Sequence, residues 1–332
     1  MNAGQHIDSA LVQWGERLFY TSNRTVRSGE TPRLGVLMQR KAAVIRQRIE
    51  ATVRRVPQVM VKVTGGGRGM GTIKAHFRYI SKNGRLEIED DRGVVHTGKE
   101  VLRDVADQWR YGGSLIDEVS PRREAINIML SMPIGTNADL LKKAVREFAQ
   151  AELAGHRYVM VLHQHQANPH VHLSVRAESA TGHRLNPRKT DLHRWRETFA
   201  EKLRGWGIEA DATRQASRGE TRNFDPLWRI KAHEEGRLRE ISGANRDRDS
   251  PIKGRADATL SWAHIVRALA ASDAPKDREL AQRIRTFLRD TYFVRQRLLD
   301  RGRVLEEPRT AASQQPARYA GERETLTRER EW

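Results

Sequence analysis

The chain has 332 residues, and its 60 Lys and Arg outweigh 42 Asp and Glu to give a formal charge of +18; a chain of this length holds about two domains, and the excess of cations spread along it points to nucleic acid as partner rather than a membrane surface. It contains no cysteine, which excludes disulfides, thiolate metal sites and thiol nucleophiles and leaves its chemistry to oxygen and nitrogen groups. No apolar run reaches the ~18 residues a bilayer crossing needs, and the opening MNAGQHIDSALVQWGERL lacks the basic-then-apolar order of a secretory signal, so no membrane insertion and a cytoplasmic location are expected.

Residues 1–56 read as an N-terminal helical extension. Within it, LGVLMQRKAAVIRQRIEATV (34–53) aligns Leu34, Leu37 or Met38, Ile45, Ile49 and Val53 on one stripe of a basic amphipathic helix. VMVKV (59–63) is a short β-branched strand leading into TGGGRGMG. These glycines fit neither the dinucleotide fingerprint nor the phosphate loop and read as a mobile loop. The pattern TIKAHFRYISKNG predicts a helix over 72–84, stopping at Asn83-Gly84, with Ile73, Phe77 and Ile80 on its apolar stripe. Tyr79 falls off that stripe, on the face of Ala75, His76 and Lys82, so its phenol should point to solvent or a cleft. An RLEIE alternation, a helical segment near 98–110 and a buried strand, EAINIMLSM (124–132), follow. The next helix is capped by Thr136 or Asn137, carries Leu141, Val145 and Phe148 inward and ends at Gly155. YVMVLH (158–163) and HVHLSVRA (170–177) read as a hairpin around Asn168-Pro169, and a helix over 191–204 buries Leu192, Trp195, Phe199 and Leu203. Strands interleaved with helices over 57–218 make the fold class α/β, with at least one antiparallel pair. A linker is expected over 219–258, a helical module over 259–305 with its longer helix from about 276 to 301, and a disordered, Arg- and Glu-rich tail over 306–332.

The stretch HQHQANPHVH (163–172) concentrates four of the chain's twelve histidines. Side chains on a strand alternate faces, so His170 and His172 project together, and a hairpin brings His163 across to join them. Three imidazoles on two rigid elements suit a catalytic divalent metal. His165 shares the face of His163 if the strand continues, as a possible fourth ligand or outer-sphere base. A metal in a basic protein suggests phosphoryl chemistry. For the nucleophile, spacing alone sets Tyr79 only slightly ahead of Tyr111 and Tyr158.

HFRYISKNGRLEIE resembles the first motif of conjugative relaxases, the mobilisation nucleases of the HUH endonuclease superfamily, in the branch of the T-DNA border-cleaving nuclease. INIMLSMPIGT looks like their second motif, and HQHQANPHVHLSVRA is similar to their third, the histidine triad. The resemblance covers roughly 57–218 and implies an HUH-type palm, a central, largely antiparallel sheet flanked by helices. It further implies that Tyr79 attacks a phosphodiester at a transfer origin and stays joined to the 5′ phosphate. His163, His170 and His172 would hold the metal, Mg²⁺ or Mn²⁺, and Ser131 would contact the DNA. The implied partners are single-stranded DNA, a relaxosome accessory protein and a type IV secretion coupling protein. Where related relaxases commonly carry an acidic residue two positions after the first histidine, this chain has His165. A rolling-circle replication initiator and a non-catalytic DNA-binding accessory protein are the alternative readings.

Overall fold

The structure, a computed structural model, describes residues 3–20, 34–164, 168–213, 215–218, 236 and 249–291. In chain order come helices α1 (Ala3–Phe19) and α2 (Leu34–Val53), strand β1 (Met60–Gly65), helix α3 (Met70–Ile80), short strands β2 (Ile88–Asp90) and β3 (Val95–His96), and helix α4 (Lys99–Tyr111). Then follow β4 (Ala125–Ser131), α5 (Ala138–Glu152), the hairpin β5 (Tyr158–His163) and β6 (His170–Arg176), α6 (Lys189–Gly205), a 3-10 turn at Gln215–Arg218, α7 (Asp249–Ala270) and α8 (Pro275–Arg289). The strands form one sheet in the order β1-β4-β6-β5-β2-β3, and every pairing in it is antiparallel. This is the expected α/β class, a largely antiparallel sheet flanked by helices with further helices towards the C-terminus.

Alternation along the three central strands separates two faces. Ile126, Ile128 and Leu130 of β4, Val171, Leu173 and Val175 of β6, and Tyr158 and Met160 of β5 lie on one face. There they meet the stripe of α5 (Leu141, Val145, Phe148) and that of α6 (Trp195, Phe199, Leu203), all buried. The two helices lock through Phe148 and Trp195, whose rings meet edge-on at 6.1 Å. Asn137 caps α5, its side-chain oxygen accepting from the Asp139 and Leu140 amides at 3.0 Å each. The opposite face carries Ala125, Val159 and Val161 and is covered by Ile73, Phe77 and Ile80 of α3 and Val105 and Trp109 of α4. Its pairing rows run on, Val161 beside His172 beside Met129, then His163 beside His170 beside Ser131. The helices cover the apolar rows, and the histidines begin where that cover stops.

The helix that bears Tyr79 ends at Ile80, short of the expected stop at Asn83-Gly84. Lys82, Asn83 and Gly84 all take positive φ, at 50°, 58° and 80°. The Gly84 carbonyl accepts from Gly98 N at 3.0 Å, and a Cβ on Gly84 would sit 2.7 Å from the Gly98 carbonyl carbon. Long-range docking against the start of α4 therefore closes the helix early. Gly84→Ala adds both left-handed strain and a backbone clash and is expected to cost more than ~1 kcal/mol. Urea unfolding reads this out, and a variant as stable as the parent would refute the tight approach.

The glycine run is not the mobile loop its composition suggests. Gly67 N donates to Ala125 O at 3.0 Å, and its carbonyl accepts from Glu124 N at 2.7 Å. At the start of α3 the amides of Met70 and Gly71 donate to Asp117 O and Glu118 O. Gly69, at φ 96°, comes so near that a Cβ would lie 2.4 Å from Glu118 O. Glycine here serves close backbone packing.

Helices α1, α2, α7 and α8 build a second core, in which Leu11, Leu18, Phe19, Ile45, Ile49, Trp262, Ile265, Leu269, Ile284 and Phe287 are buried together. On α2 the inward positions are Ala42, Ile45, Ile49 and Thr52, whereas Leu37 of the expected stripe is 52% exposed. The N-terminal helices and the C-terminal helices thus share one interior, which apolar stripes alone do not reveal. Helix α7 starts at Asp249, inside the stretch 219–258 that reads as linker, and α8 stops at Arg289 rather than near 301. The tail 306–332 lies outside the described residues. The 3-10 turn docks on this second core, with Ser217 O accepting from Trp262 Nε1 at 2.7 Å and Ser217 Oγ donating to Leu18 O at 2.6 Å.

Candidate active site

The hairpin register places His163 directly opposite His170, with His172 two residues along the same face. Their ring centroids lie 5.0, 4.7 and 5.1 Å apart, and one ligand nitrogen from each lies within 4.8 Å of the others. Hydrogen bonds fix two of the rings. His163 Nε2 lies 2.6 Å from Ile80 O and His170 Nδ1 lies 2.9 Å from Asn168 O. Each carbonyl can only accept, so those nitrogens carry protons, and Nδ1 of His163 and Nε2 of His170 are the ring atoms left to meet a metal. Burial, and then the neighbouring His163, His170 and His76, push His172 down to about 3. Its ring is therefore neutral at physiological pH, the form a metal ligand needs. His172 Nδ1 is buried with no partner. Three convergent imidazoles, one with an orphaned nitrogen, fit a divalent ion.

The bond from His163 to Ile80 O also explains the early end of α3 in chemical terms. The last carbonyls of a helix lack partners inside it, and here one accepts from an imidazole of the triad. The residue just before Ile80 is Tyr79, whose side chain is 73% exposed. Tyr79 lines the same open cleft of ≈ 810 Å³ as His163, His170 and His172, together with Arg78, Lys82, Asn83 and Arg85. The other candidate tyrosines do not. Tyr158 is buried in the core under α5 and α6, where burial drives its phenol up to about 12. Tyr111 is exposed at the end of α4 and is absent from the cleft's lining.

Ser131 sits in the row of His163 and His170, but it is buried and its hydroxyl donates to Pro169 O at 3.1 Å. With Met132 N donating to Pro169 O at 3.2 Å and Ile134 N donating to Asn168 Oδ1 at 3.0 Å, it holds the turn from which His170 projects. His165 lies outside the described residues. The sequence sets His76 and Lys82 on the face of Tyr79 but gives neither a part in the site. His76 faces Tyr79 with ring centroids 6.4 Å apart, its Nε2 is buried without a partner, and burial lowers its pKa. The cationic rim of Arg78, Lys82 and Arg85 was hidden because Lys82 reads as one more helical residue unless the left-handed turn is known.

Residues 79–208 match the family model described as "Relaxase: MobA/VirD2-like, nuclease domain". Over this segment the chain is similar to a relaxase nuclease domain. The matched segment runs from Tyr79 through all three histidines to the end of α6, so the exposed tyrosine and the triad fall within it together. Relaxases of this kind nick DNA, and their nuclease domains generally use a divalent metal. No curated protein matches the chain. Among the described residues no helix is long and apolar enough to cross a membrane.

Proposed function

We propose that the protein nicks one strand at a plasmid or mobile-element transfer origin through a covalent tyrosyl intermediate, in the service of conjugative DNA transfer. The observation that carries this reading is the shared cleft, where an exposed Tyr79 and three convergent histidines are joined through the hydrogen bond from His163 to Ile80 O. His163, His170 and His172 would hold Mg²⁺ or Mn²⁺. A divalent cation bound there supplies Lewis-acid polarisation of a phosphate oxygen. The all-imidazole donor set favours the softer ions on affinity, so Mn²⁺ is expected to bind more tightly than Mg²⁺.

In the proposed step the Tyr79 phenolic oxygen attacks the scissile phosphorus and the bond to the 3′ oxygen breaks. The phenol gives up its proton and the departing 3′ oxygen gains one. One phosphodiester is exchanged for another, so the bond's energy is kept for rejoining. Arg78, Lys82 and Arg85 lie where they offset the charge of the flanking phosphates. Ser131 acts on the DNA indirectly, by fixing the turn that aims His170. Single-stranded DNA is the partner of this site, and a relaxosome accessory protein and a type IV secretion coupling protein are the protein partners the reading calls for, in the cytoplasm.

Incubating the protein with single-stranded oligonucleotides spanning the transfer origin of its own element, with Mg²⁺ or Mn²⁺, is expected to give a covalent protein–DNA species on a denaturing gel. Chelator should abolish it. Failure to form the species on any such strand would remove the covalent reading. The metal can be followed without DNA. A free ion at 100 times its dissociation constant stabilises the folded protein by about 2.7 kcal/mol. Mn²⁺ should therefore raise the melting midpoint of the parent and leave that of His172→Ala unmoved. An equal shift in both would place the ion elsewhere.

A further inference from the structure

A second cavity, of ≈ 560 Å³, opens between α3 and α4, with Lys74, Arg78, Asn83, Lys99, Arg103 and Asp107 in its lining. Arg78 and Asn83 also line the active cleft, so the two concavities meet around the C-terminal end of α3. Lys74 and Arg78 stand four residues apart on α3, and Lys99 and Arg103 four apart on α4, so each helix presents a pair of like charges to the same space. That spacing works against the stability of both helices. Their neutralisation is slight. Arg103 pairs with Glu100 at the surface, Asp107 is the one carboxylate in the lining, and among the described residues Lys74, Arg78 and Lys99 enter no ion pair. Helix α4 begins here, at Lys99, with no side chain capping its first turn, which adds the positive end of its dipole. Cations gathered at a cost to their own helices, in a concavity that continues the active cleft, point to an anion that arrives from outside.

The lining contains no aromatic ring. A base has nothing to stack on there, whereas a phosphodiester meets four cations. Building on the relaxase reading, we propose that this cavity seats the backbone phosphates on one flank of the nick, gripped without regard to base sequence as the strand turns around the end of α3. Recognition of the nick sequence then belongs to the active cleft, and the cavity supplies affinity and direction.

The test uses the full chain carrying Lys99→Gln and Arg103→Gln, both on α4 and away from Tyr79, and measures binding of fluorescent single-stranded oligonucleotides across a salt series. Each phosphate contact on single strands contributes about 0.7 to the slope of log affinity against log salt. The double variant is expected to show a slope shallower by roughly 1.4 and, at low salt, an affinity weaker on the order of tenfold. Restoring the charges as Lys99→Arg and Arg103→Lys should recover both. Shortening the oligonucleotide on one flank should erase the difference between parent and variant, and shortening the other flank should not. An unchanged slope with parental DNA binding overturns the cavity assignment alone. A parent protein that binds no single strand and forms no adduct overturns the relaxase reading beneath it. A loss that is the same whichever flank is present overturns the directional grip and leaves only a diffuse charge effect.

Discussion

Tyr79→Phe is expected to form no covalent adduct with a transfer-origin strand while still binding that strand and melting at the parental temperature. The substitution removes one oxygen. Because the Tyr79 side chain is 73% exposed, the change stays within the ~0.5 kcal/mol typical of surface positions. The ring that faces His76 is retained, as is the hydrogen bond from the His163 ring to the Ile80 carbonyl, which involves no atom of the Tyr79 side chain. Loss of the adduct with an intact fold and intact affinity therefore isolates the nucleophile. An adduct that persists in the Phe variant would show that another residue attacks, and the histidine cluster would have to be read without Tyr79.

Asp211→Ala is expected to destabilise the chain by about 3–5 kcal/mol, the range for removing one partner of a buried ion pair. Arg218 donates to Asp211 Oδ2 and to Val56 O, both at 2.7 Å, and both side chains are nearly closed to solvent. Asp211 Oδ1 also accepts from the amide and the hydroxyl of Thr213. Without the carboxylate, Arg218 keeps its charge in the interior with one carbonyl for company. A loss of this size lowers the melting midpoint by roughly ten degrees. The double substitution Asp211→Ala with Arg218→Met removes the stranded charge as well and is expected to recover part of the loss. A single variant within ~1 kcal/mol of the parent would mean that water or rearrangement compensates the guanidinium.

What the sequence disclosed follows from which forces are local. Alternation in HVHLSVR sets His170 and His172 on one face and Val171, Leu173 and Val175 on the other, and that alternation survives folding because one face must meet α5 and α6. The stripes of those helices were readable for the same reason, and so was the exposure of Tyr79, which needs only the helical period. Three features were not readable, and each depends on a distant partner. The end of α3 at Ile80 is set by Gly98 and His163, the packing of the glycine run by Asp117 and Glu118, and the company of α2 by helices far along the chain. A stripe announces that something covers it without naming the cover. The cationic cavity was equally hidden, because Lys74 and Lys99 are ordinary solvent-facing lysines until α3 and α4 are docked.

The second core has a consequence for the order of synthesis. Helices α1 and α2 are made before the sheet, yet Trp262, Ile265, Ile284 and Phe287, which complete their apolar faces, are made only after the last strand of the sheet and α6. A nascent chain can close the sheet while Leu11, Phe19 and Ile49 still wait for cover. Premature release, or a stop placed before α7, would thus leave a folded sheet domain bearing a sticky apolar face, the kind of intermediate that aggregates. Arrival of α7 and α8 hides that face.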